Sequence, residues 1–132
     1  MQHCIFCHNI IEDQILTESD HFFVVFDIDP IQKGHLIIIS KTHYTDIRQI
    51  PNEILLDLIT IEKKIITIFE YYFETLGIRI IQNNGKIMDK GTHFHIHLIP
   101  RYKNDNFWDN QKINLKHIDI SLLKEKLNNI QR

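Results

Sequence analysis

The chain has 132 residues, of which 43% are hydrophobic and 24% are charged, a composition typical of one globular domain. Lys and Arg number 15 against 17 Asp and Glu, and the net charge of −2 argues against a general nucleic-acid or anionic-membrane binder. No apolar run reaches the roughly 18 residues that span a bilayer, and the N-terminus lacks a secretory signal pattern, so we expect a cytoplasmic protein.

The first half of the chain predicts two strands and a long helix. The aromatic and β-branched run Phe22 to Asp27 and the apolar run His35 to Ser40 predict an antiparallel pair. From Pro51 to Leu76, apolar residues recur every three or four positions, as in an amphipathic helix that ends before Gly77. A second apolar file on the same helix comprises Leu55, Ile59, Ile66, Phe69 and Phe73. We expect a partner subunit to cover part of this file.

The second half predicts two further strands and a short helix. The runs Ile78 to Gln82 and Thr92 to Ile99 have strand character and are separated by a loop from Asn83 to Gly91. A polar tail from Lys103 to Gln111 precedes a short amphipathic helix around Ser121 to Ile130. This order of elements predicts an α+β domain with an antiparallel sheet.

Three of the nine histidines alternate with apolar residues in the last predicted strand. In an extended chain His93, His95 and His97 share one face, while the intervening apolar residues face the core. Successive imidazoles on one face are about 7 Å apart, so two of them can contact one phosphate group. Imidazole exchanges protons near neutral pH, so one ring can attack phosphorus while another protonates the leaving group.

Two other interpretations of the alternating histidines stay open at this point. A polar surface face is the less favoured one, because three histidines within five residues rarely arise without a function. A catalytic zinc site is the other, since two histidines two positions apart on a strand can bind one metal ion. Spacing alone does not separate zinc catalysis from nucleophilic catalysis by histidine.

The segment HFHIHLI at residues 93–99 resembles the signature of the histidine triad (HIT) family, in which three histidines alternate with apolar residues. Other segments are similar to family blocks in the family's order: IFC at 5–7, FDIDP at 26–30, KGHLIIISKTH at 33–43, NNG at 83–85 and IPR at 99–101. The resemblance implies a HIT-like fold, with an antiparallel sheet of about five strands, one long helix and a short C-terminal helix. We expect a single HIT domain over residues 1–132, with 1–102 matching the family and 103–132 forming a divergent tail.

The resemblance also implies an activity. Family members cleave the bond between the α-phosphate of a nucleotide and its leaving group, and we expect a purine nucleotide such as an AMP or GMP conjugate. His95 would be the nucleophile that forms a nucleotidyl-histidine. His97 would contact the α-phosphate and assist the leaving group, and His93 would support the hydrogen bonds of the strand.

The same resemblance implies which residues contact the other parts of the nucleotide. Phe6 and Ile28 would flank the base, Asp27 would bind the ribose hydroxyls, and Asn83 would reach the phosphate or the leaving group. On the residues alone, core packing accounts equally well for Phe6 and Ile28, and turn capping accounts for Asp27.

One segment departs from the family pattern. Many members carry a Gly-Gln-Ser or Gly-Gln-Thr turn ahead of the first histidine, where this chain reads Met88 to Thr92. Thr92 has the parity of Phe94, so we expect its hydroxyl to point away from the histidine face. We interpret Lys90 as a solvated loop residue. The alternative function is therefore a nucleotide-binding regulatory or interaction protein with low turnover.

Cys4 and Cys7 supply two of the four ligands of a structural zinc site at a suitable spacing. The alternatives are reduced cysteines that bind no metal, or a labile disulfide. Bacterial HIT relatives with such a pair resemble this chain, which implies that His43 and His93 complete the site. Catalysis would then need no cofactor of its own.

The resemblance implies a homodimer whose sheets join edge to edge, which would also cover strand edges that invite aggregation. Phe107 and Trp108 in the tail would approach the partner's active site, or else form a small packed cluster under the tail. We expect neither a nucleic-acid nor a membrane partner.

Overall fold

The computed structural model describes residues 3–107 and 115–129, and its strands form one five-stranded antiparallel sheet. The strands are β1 (Thr17–Glu18), β2 (Phe22–Phe26), β3 (Leu36–Ser40), β4 (Gly77–Gln82) and β5 (His95–Arg101). The helices are α1 (Ile5–His8), α2 (Asn52–Tyr72) and α3 (Ile120–Asn128). These elements confirm the predicted α+β fold, with its sheet of about five strands, one long helix and a short C-terminal helix.

The sheet order β1-β2-β3-β5-β4 puts the histidine strand inside the sheet, between β3 and β4. Ile39 pairs with His95 and Ile37 pairs with His97 across the β3–β5 ladder. Because strand residues alternate between faces, the two histidines lie on the same face as Ile37 and Ile39. The catalytic candidates therefore stand on an interior strand of the described sheet and not on an edge strand.

Each face of the sheet has its own core. One face packs against α2, and its buried residues are Phe22, Val24, Leu36, Ile38, Phe94, Ile96 and Leu98, with Leu58, Ile61 and Ile65 from the helix. The other face carries Phe23, Val25, Ile37 and Ile39, which pack with Cys4 and Phe6 of the N-terminal segment. The alternation of the histidine segment fits this division, since its apolar residues belong to the first core.

The long helix is shorter than predicted at its C-terminal end. It ends at Tyr72, because the Leu76 N–H donates to the Arg101 carbonyl at 2.8 Å and draws the chain into β4. In the second apolar file, Leu55, Ile66 and Phe69 are half-buried, whereas Ile59 and Phe73 are exposed. A partner subunit over this file stays a prediction.

The last strand begins at His95 and runs to Arg101, so the predicted start at Thr92 was wrong. The Phe94 N–H donates to the Tyr44 carbonyl at 2.8 Å, which diverts the chain before the strand begins. The elements β1 and α1 were not predicted individually, because two and four residues are too few to show a periodic pattern.

The tail is described only in part. Phe107 is buried against the Arg101 guanidinium, 4.4 Å from its ring centroid, and α3 begins after Asp119, whose side chain accepts from the Leu122 N–H. Trp108, the rest of the predicted loop to Gln111, and Ile130 lie outside the described residues. Among the described residues, no helix combines the length and the apolar character that crossing a membrane requires.

Candidate active site and metal cluster

His95 begins β5 and is only 3% exposed. Its Nδ1 lies 2.7 Å from the backbone carbonyl oxygen of His93. A carbonyl oxygen can only accept, so Nδ1 carries the proton and donates it. In the neutral ring Nε2 then holds a lone pair, which a nucleophile at phosphorus requires. The Phe6 ring packs edge-on against His95 with centroids 5.0 Å apart, which restricts rotation of the imidazole.

His97 is the neighbour of His95 on this face, with ring centroids 4.9 Å apart. Its Nδ1 lies 2.9 Å from Nε2 of His35. The Ile31 N–H donates to Nδ1 of His35 at 3.1 Å, so the proton of the neutral His35 ring is on Nε2 and is donated to His97. His97 accepts at Nδ1 and carries its own proton on Nε2. The hydrogen-bond network thus assigns opposite tautomers to two adjacent imidazoles.

Asp27 lies beside this histidine pair, with Oδ2 at 3.4 Å from His35 Nε2 and 3.5 Å from His97 Nδ1. Burial, reinforced by the nearby imidazoles, lowers the pKa of His97 to about 4, although Asp27 and Asp89 act in the opposite direction. Burial also lowers the pKa of His35, again opposed by Asp27. Both rings are therefore neutral near pH 7, which preserves the tautomers described above.

A cleft of about 330 Å³ lies in front of His97. Asp27 and Asn83, both assigned to the nucleotide by the resemblance, line it together with His35 and Asp89. These residues come from the ends of β2 and β4 and from the start of β3, so the cleft crosses the sheet. A larger cleft of about 560 Å³ runs along β4, but none of the described residues that line it is a histidine or a cysteine. The smaller cleft is therefore the better candidate for chemistry.

The two residues assigned to the base occupy different surroundings. Phe6 is 9% exposed and contacts the rings of His93 and His95, so it forms a wall of the histidine face. Ile28 is 87% exposed in the loop after β2 and does not line the cleft. The structure brings Phe6 to the histidines and leaves Ile28 at the surface.

The loop between β4 and β5 is held in place by side chains. The Asn84 side chain accepts from the Ile47 N–H at 3.0 Å, and the Gly85 N–H donates to Asp46 at 3.1 Å. Hydrogen bonds from Arg48 lower the pKa of Asp46 to about 2. Near the other end of the loop the Thr92 hydroxyl donates to the Asp89 carbonyl at 2.7 Å. That hydroxyl is therefore engaged within its own turn.

A second constellation joins α1 to the segments that follow β3 and precede β5. Its members are Cys4, Cys7, His43 and His93, whose candidate ligand atoms all lie within 4.8 Å of one another. Nδ1 of His93 lies 3.2 Å from Cys4 Sγ and 3.5 Å from Cys7 Sγ, and Nδ1 of His43 lies 3.2 Å from Cys7 Sγ. All four residues expected at a metal site are thus brought together.

The chemistry of this cluster fits a tetrahedral zinc ion, which prefers thiolate and imidazole ligands. Nε2 of His93 donates to the Ser40 carbonyl at 2.7 Å, which leaves Nδ1 unprotonated and turned towards the sulfur atoms. Burial raises the pKa of the Cys7 thiol, with a further contribution from Cys4. A bound divalent cation would reverse that shift, because metal binding releases the thiol protons.

The side chains of Asp27, His35 and His97 are also close enough to surround a metal ion. However, the Ile31 N–H occupies Nδ1 of His35. A metal ion at Nε2 of His35 would then require either the loss of that hydrogen bond or an imidazolate ring with no proton on either nitrogen. The hydrogen-bonded arrangement of these three side chains is the simpler interpretation.

His35 is the residue that sequence reasoning missed. It is 2% exposed, and it precedes Ile37 and Ile39 at two-residue intervals. Continued strand alternation would therefore place it on the histidine face. Only the β3–β5 register brings it to His97, and no local pattern in the sequence specifies that register. A histidine directly after the Lys33-Gly34 turn was the available signal.

Comparison with known proteins agrees with this architecture. Residues 9–104 match the HIT domain family. The chain is 37% identical to an adenosine 5′-monophosphoramidase of Saccharomyces cerevisiae over 103 residues, which cover 74% of this chain and 62% of that protein. A crystal structure of a HIT family member from Bacillus subtilis aligns over 98% of both chains with a TM-score of 0.75 and 28% identity. A zinc-bound histidine triad family protein from Mycobacterium smegmatis aligns over 84% of both chains with a TM-score of 0.68 and 27% identity.

Proposed function

The chain belongs to the HIT domain family, and from that premise we propose that it is a nucleotide hydrolase or transferase acting on purine nucleotides such as AMP or GMP conjugates. The reaction cleaves the bond between the α-phosphate and its leaving group through a nucleotidyl-histidine. The proposal is carried by the adjacent imidazoles in opposite tautomers, His95 with an unprotonated Nε2 and His97 with a proton on Nε2. The name of the yeast relative, a monophosphoramidase, favours an amine as the leaving group.

In the first step, Nε2 of His95 attacks the α-phosphorus, and the phosphorus–nitrogen bond forms as the bond to the leaving group breaks. The negative charge of the bound phosphate raises the pKa of His97 from about 4 towards its ordinary range. The His97 ring then takes a second proton from solvent on Nδ1. The His35 Nε2–H stops donating to that atom and turns to Asp27 Oδ2, 3.4 Å away, which also accepts from the new His97 Nδ1–H across 3.5 Å. The His97 ring releases the proton on Nε2 to the leaving group, which departs with the bonding electron pair.

In the second step, a water molecule attacks the phosphorus and gives a proton to Nε2 of His97. The bond between phosphorus and His95 breaks, the nucleoside monophosphate leaves, and the lone pair on His95 is restored. An acceptor other than water would make the same step a transfer. The Nδ1–H bond to the His93 carbonyl holds the His95 ring in one orientation throughout.

Nucleotide binding is assigned to two residues that line the cleft and to two that lie outside it. Asp27 binds the ribose hydroxyls: its Oδ1 accepts from the Asp29 N–H at 2.8 Å and its Oδ2 faces the histidines, and each oxygen has a further lone pair. Asn83, which lines the same cleft, contacts the phosphate or the leaving group. Phe6 and Ile28 flank the base, and the exposed Ile28 becomes covered when the nucleotide binds.

We further propose a structural zinc ion held by Cys4, Cys7, His43 and His93. When bound, it supplies a cross-link between α1 and the start of β5 and takes no part in bond cleavage. His93 then has a structural role, so two triad histidines act on the nucleotide. Elemental analysis of protein purified without added metal should find about one equivalent of zinc, and less than about a tenth of an equivalent would contradict the assignment.

The proposed active unit is a homodimer, with each chain a single domain and residues 103–132 as its divergent tail. The strand β4 is one edge of the described sheet and has six residues, against two in β1 at the other edge. Its unpaired side offers backbone groups to a second copy, and the large cleft beside it gives room for contact. Sedimentation that shows only monomer at micromolar concentration would contradict this part.

The function is tested by giving the protein one substrate of each class: an adenosine phosphoramidate, a diadenosine polyphosphate and an acyl-adenylate. We expect AMP release from at least the phosphoramidate, and a radiolabelled nucleotidyl-protein that loses its label in acid but not in alkali. His95→Ala should abolish both signals while AMP still binds by calorimetry. His21→Ala, at an exposed histidine, is the matched control and should keep full turnover. Undiminished turnover by His95→Ala would overturn the assignment.

The second candidate is a nucleotide-binding regulatory protein with low turnover. It is favoured by one observation: the Thr92 hydroxyl donates to the Asp89 carbonyl and so does not serve the leaving group. Tight AMP binding together with no AMP release from any of the three substrates would select this function over the first.

A further inference from the structure

Hydrogen bonds join the beginning of the tail to the loop that carries His35. Asp105 Oδ2 accepts from Gln32 Nε2 at 2.9 Å, and the same Nε2 donates to the Pro100 carbonyl at 2.6 Å. Both Asp105 carboxylate oxygens also accept from the Arg101 guanidinium, at 2.7 and 2.6 Å. The Arg101 and Asp105 side chains are only 16% and 12% exposed, so water competes weakly for these bonds.

Gln32 is also the first residue of a tight turn that ends at His35. The His35 N–H donates to the Gln32 carbonyl at 3.1 Å, and Gly34 has a φ of +90°, which a glycine adopts without strain. A Cβ on Gly34 would approach the Phe69 and Pro100 side chains to 3.2 and 3.3 Å. The turn is therefore fixed by packing beneath Gly34 and by the side chain of Gln32.

The geometry of this turn decides where the proton of His35 resides. The Ile31 N–H reaches Nδ1 of His35 only while the turn keeps its shape, and that bond holds the proton on Nε2. If the turn shifted, His35 could place its proton on Nδ1 and accept from His97 at Nε2. The His97 proton would then move to Nδ1, and the cleft would face an unprotonated Nε2.

We propose that Gln32 is a positioning residue that couples the anchored beginning of the tail, at Asp105, to the tautomers of His35 and His97. Gln32 does not line the cleft in front of His97, and it acts through the turn and through His35. The expected effect on catalysis rests on the proposed function. The expected effect on the tautomers does not depend on that function.

The test compares Gln32→Leu, which keeps the bulk and loses the donor, with Gln32→Lys, which keeps a donor for the carboxylate and the carbonyl. Long-range proton–nitrogen NMR at pH 7 should find the His97 proton on Nε2 in the unmodified protein and a partial or complete shift to Nδ1 in Gln32→Leu. For an adenosine phosphoramidate, kcat should fall roughly 2- to 30-fold, the range reported for substitutions along coupling networks, with KM nearly unchanged. Gln32→Lys should recover most of the unmodified protein's His97 tautomer population and most of its kcat.

Asp57→Asn is the matched control, because Asp57 accepts from Ser19 and from the His21 N–H, and none of these three residues lines the cleft. It should reduce the melting temperature without changing the tautomers or kcat. Native tautomers and kcat in a folded Gln32→Leu would overturn the proposal, as would an equal loss of kcat in Asp57→Asn. Should Gln32→Leu fold poorly, Asp105→Asn weakens the same link from the other side and must shift the tautomers in the same direction. If the unmodified protein cleaves no substrate, the proposed function fails, and the NMR comparison still decides this inference.

Discussion

The titration of His97 should make the stability of the fold depend on pH. Its pKa falls from 6.5 in the unfolded chain to about 4 in the folded protein, chiefly through burial. Between these values the unfolded chain binds a proton that the folded protein does not bind, so stability rises with pH in this window. At 1.36 kcal/mol per pKa unit the full effect is about 3 kcal/mol. Integration from pH 7 to pH 5 gives a loss of about 2 kcal/mol.

Urea unfolding at several pH values measures this effect directly. His97→Gln is the informative variant, because its amide still accepts from His35 Nε2–H but does not titrate. Burial also lowers the pKa of His35 and His93, so the unmodified protein and the variant both lose stability in acid. The difference between their curves of unfolding free energy against pH isolates the contribution of His97 titration. Between pH 7 and pH 5 the unmodified protein should lose about 2 kcal/mol more than His97→Gln.

His21→Gln, at an exposed histidine, should follow the unmodified protein at every pH. Parallel curves for the unmodified protein and His97→Gln would refute the reasoning, since they would show that His97 binds protons equally in the folded and unfolded states. A greater loss of unfolding free energy in acid by His97→Gln than by the unmodified protein would refute the reasoning more strongly. That result would require His97 to be a buried cation paired with Asp27 and not a neutral ring.

Three further predictions concern the metal cluster, the core and the turn before β3. Cys4→Ser should reduce bound zinc from about one equivalent to less than about a tenth by elemental analysis and lower the melting temperature; full zinc content would contradict the ligand set. Phe94→Ala removes a fully buried ring and should reduce unfolding free energy by about 3–5 kcal/mol in urea, with retained stability contradicting its place in the core. Gly34→Ala should destabilise the fold by about 1–3 kcal/mol, because φ is +90° and the added Cβ meets Phe69; an unchanged urea midpoint would contradict it.

The sequence predicted the features that depend on local periodicity. The two-residue period of the histidine segment assigned Phe94, Ile96 and Leu98 to the core, and all three are at most 2% exposed against α2. The period of the long helix identified its buried face in the same way, with Leu58 and Ile65 below 9% exposure. Such patterns can be predicted from the sequence because the face on which a residue lies follows from its position within one helix or strand.

Features that depend on contacts between distant segments could not be predicted from local sequence patterns. His35 meets His97 across 62 positions of the chain, through a register that the sequence does not state. The start of β5 was misplaced because the Phe94 N–H binds the Tyr44 carbonyl, a partner on another segment. The role of Gln32 depends equally on Asp105, which lies in the part of the tail where the family resemblance had ended.

The three triad histidines are chemically identical, so their different roles must come from their hydrogen-bond partners. His93 donates from Nε2 to the Ser40 carbonyl and turns Nδ1 to the sulfur atoms, whereas His95 donates from Nδ1 and leaves Nε2 unprotonated, as the proposed attack requires. The acceptor for His95 is the backbone carbonyl of His93 itself. That carbonyl is placed by a residue whose ring is fixed between Ser40 and Cys4. Order at the CxxC segment therefore reaches the proposed nucleophile through His93, and Cys4→Ser should alter the tautomer of His95, measured by long-range proton–nitrogen NMR, as well as the stability of the fold.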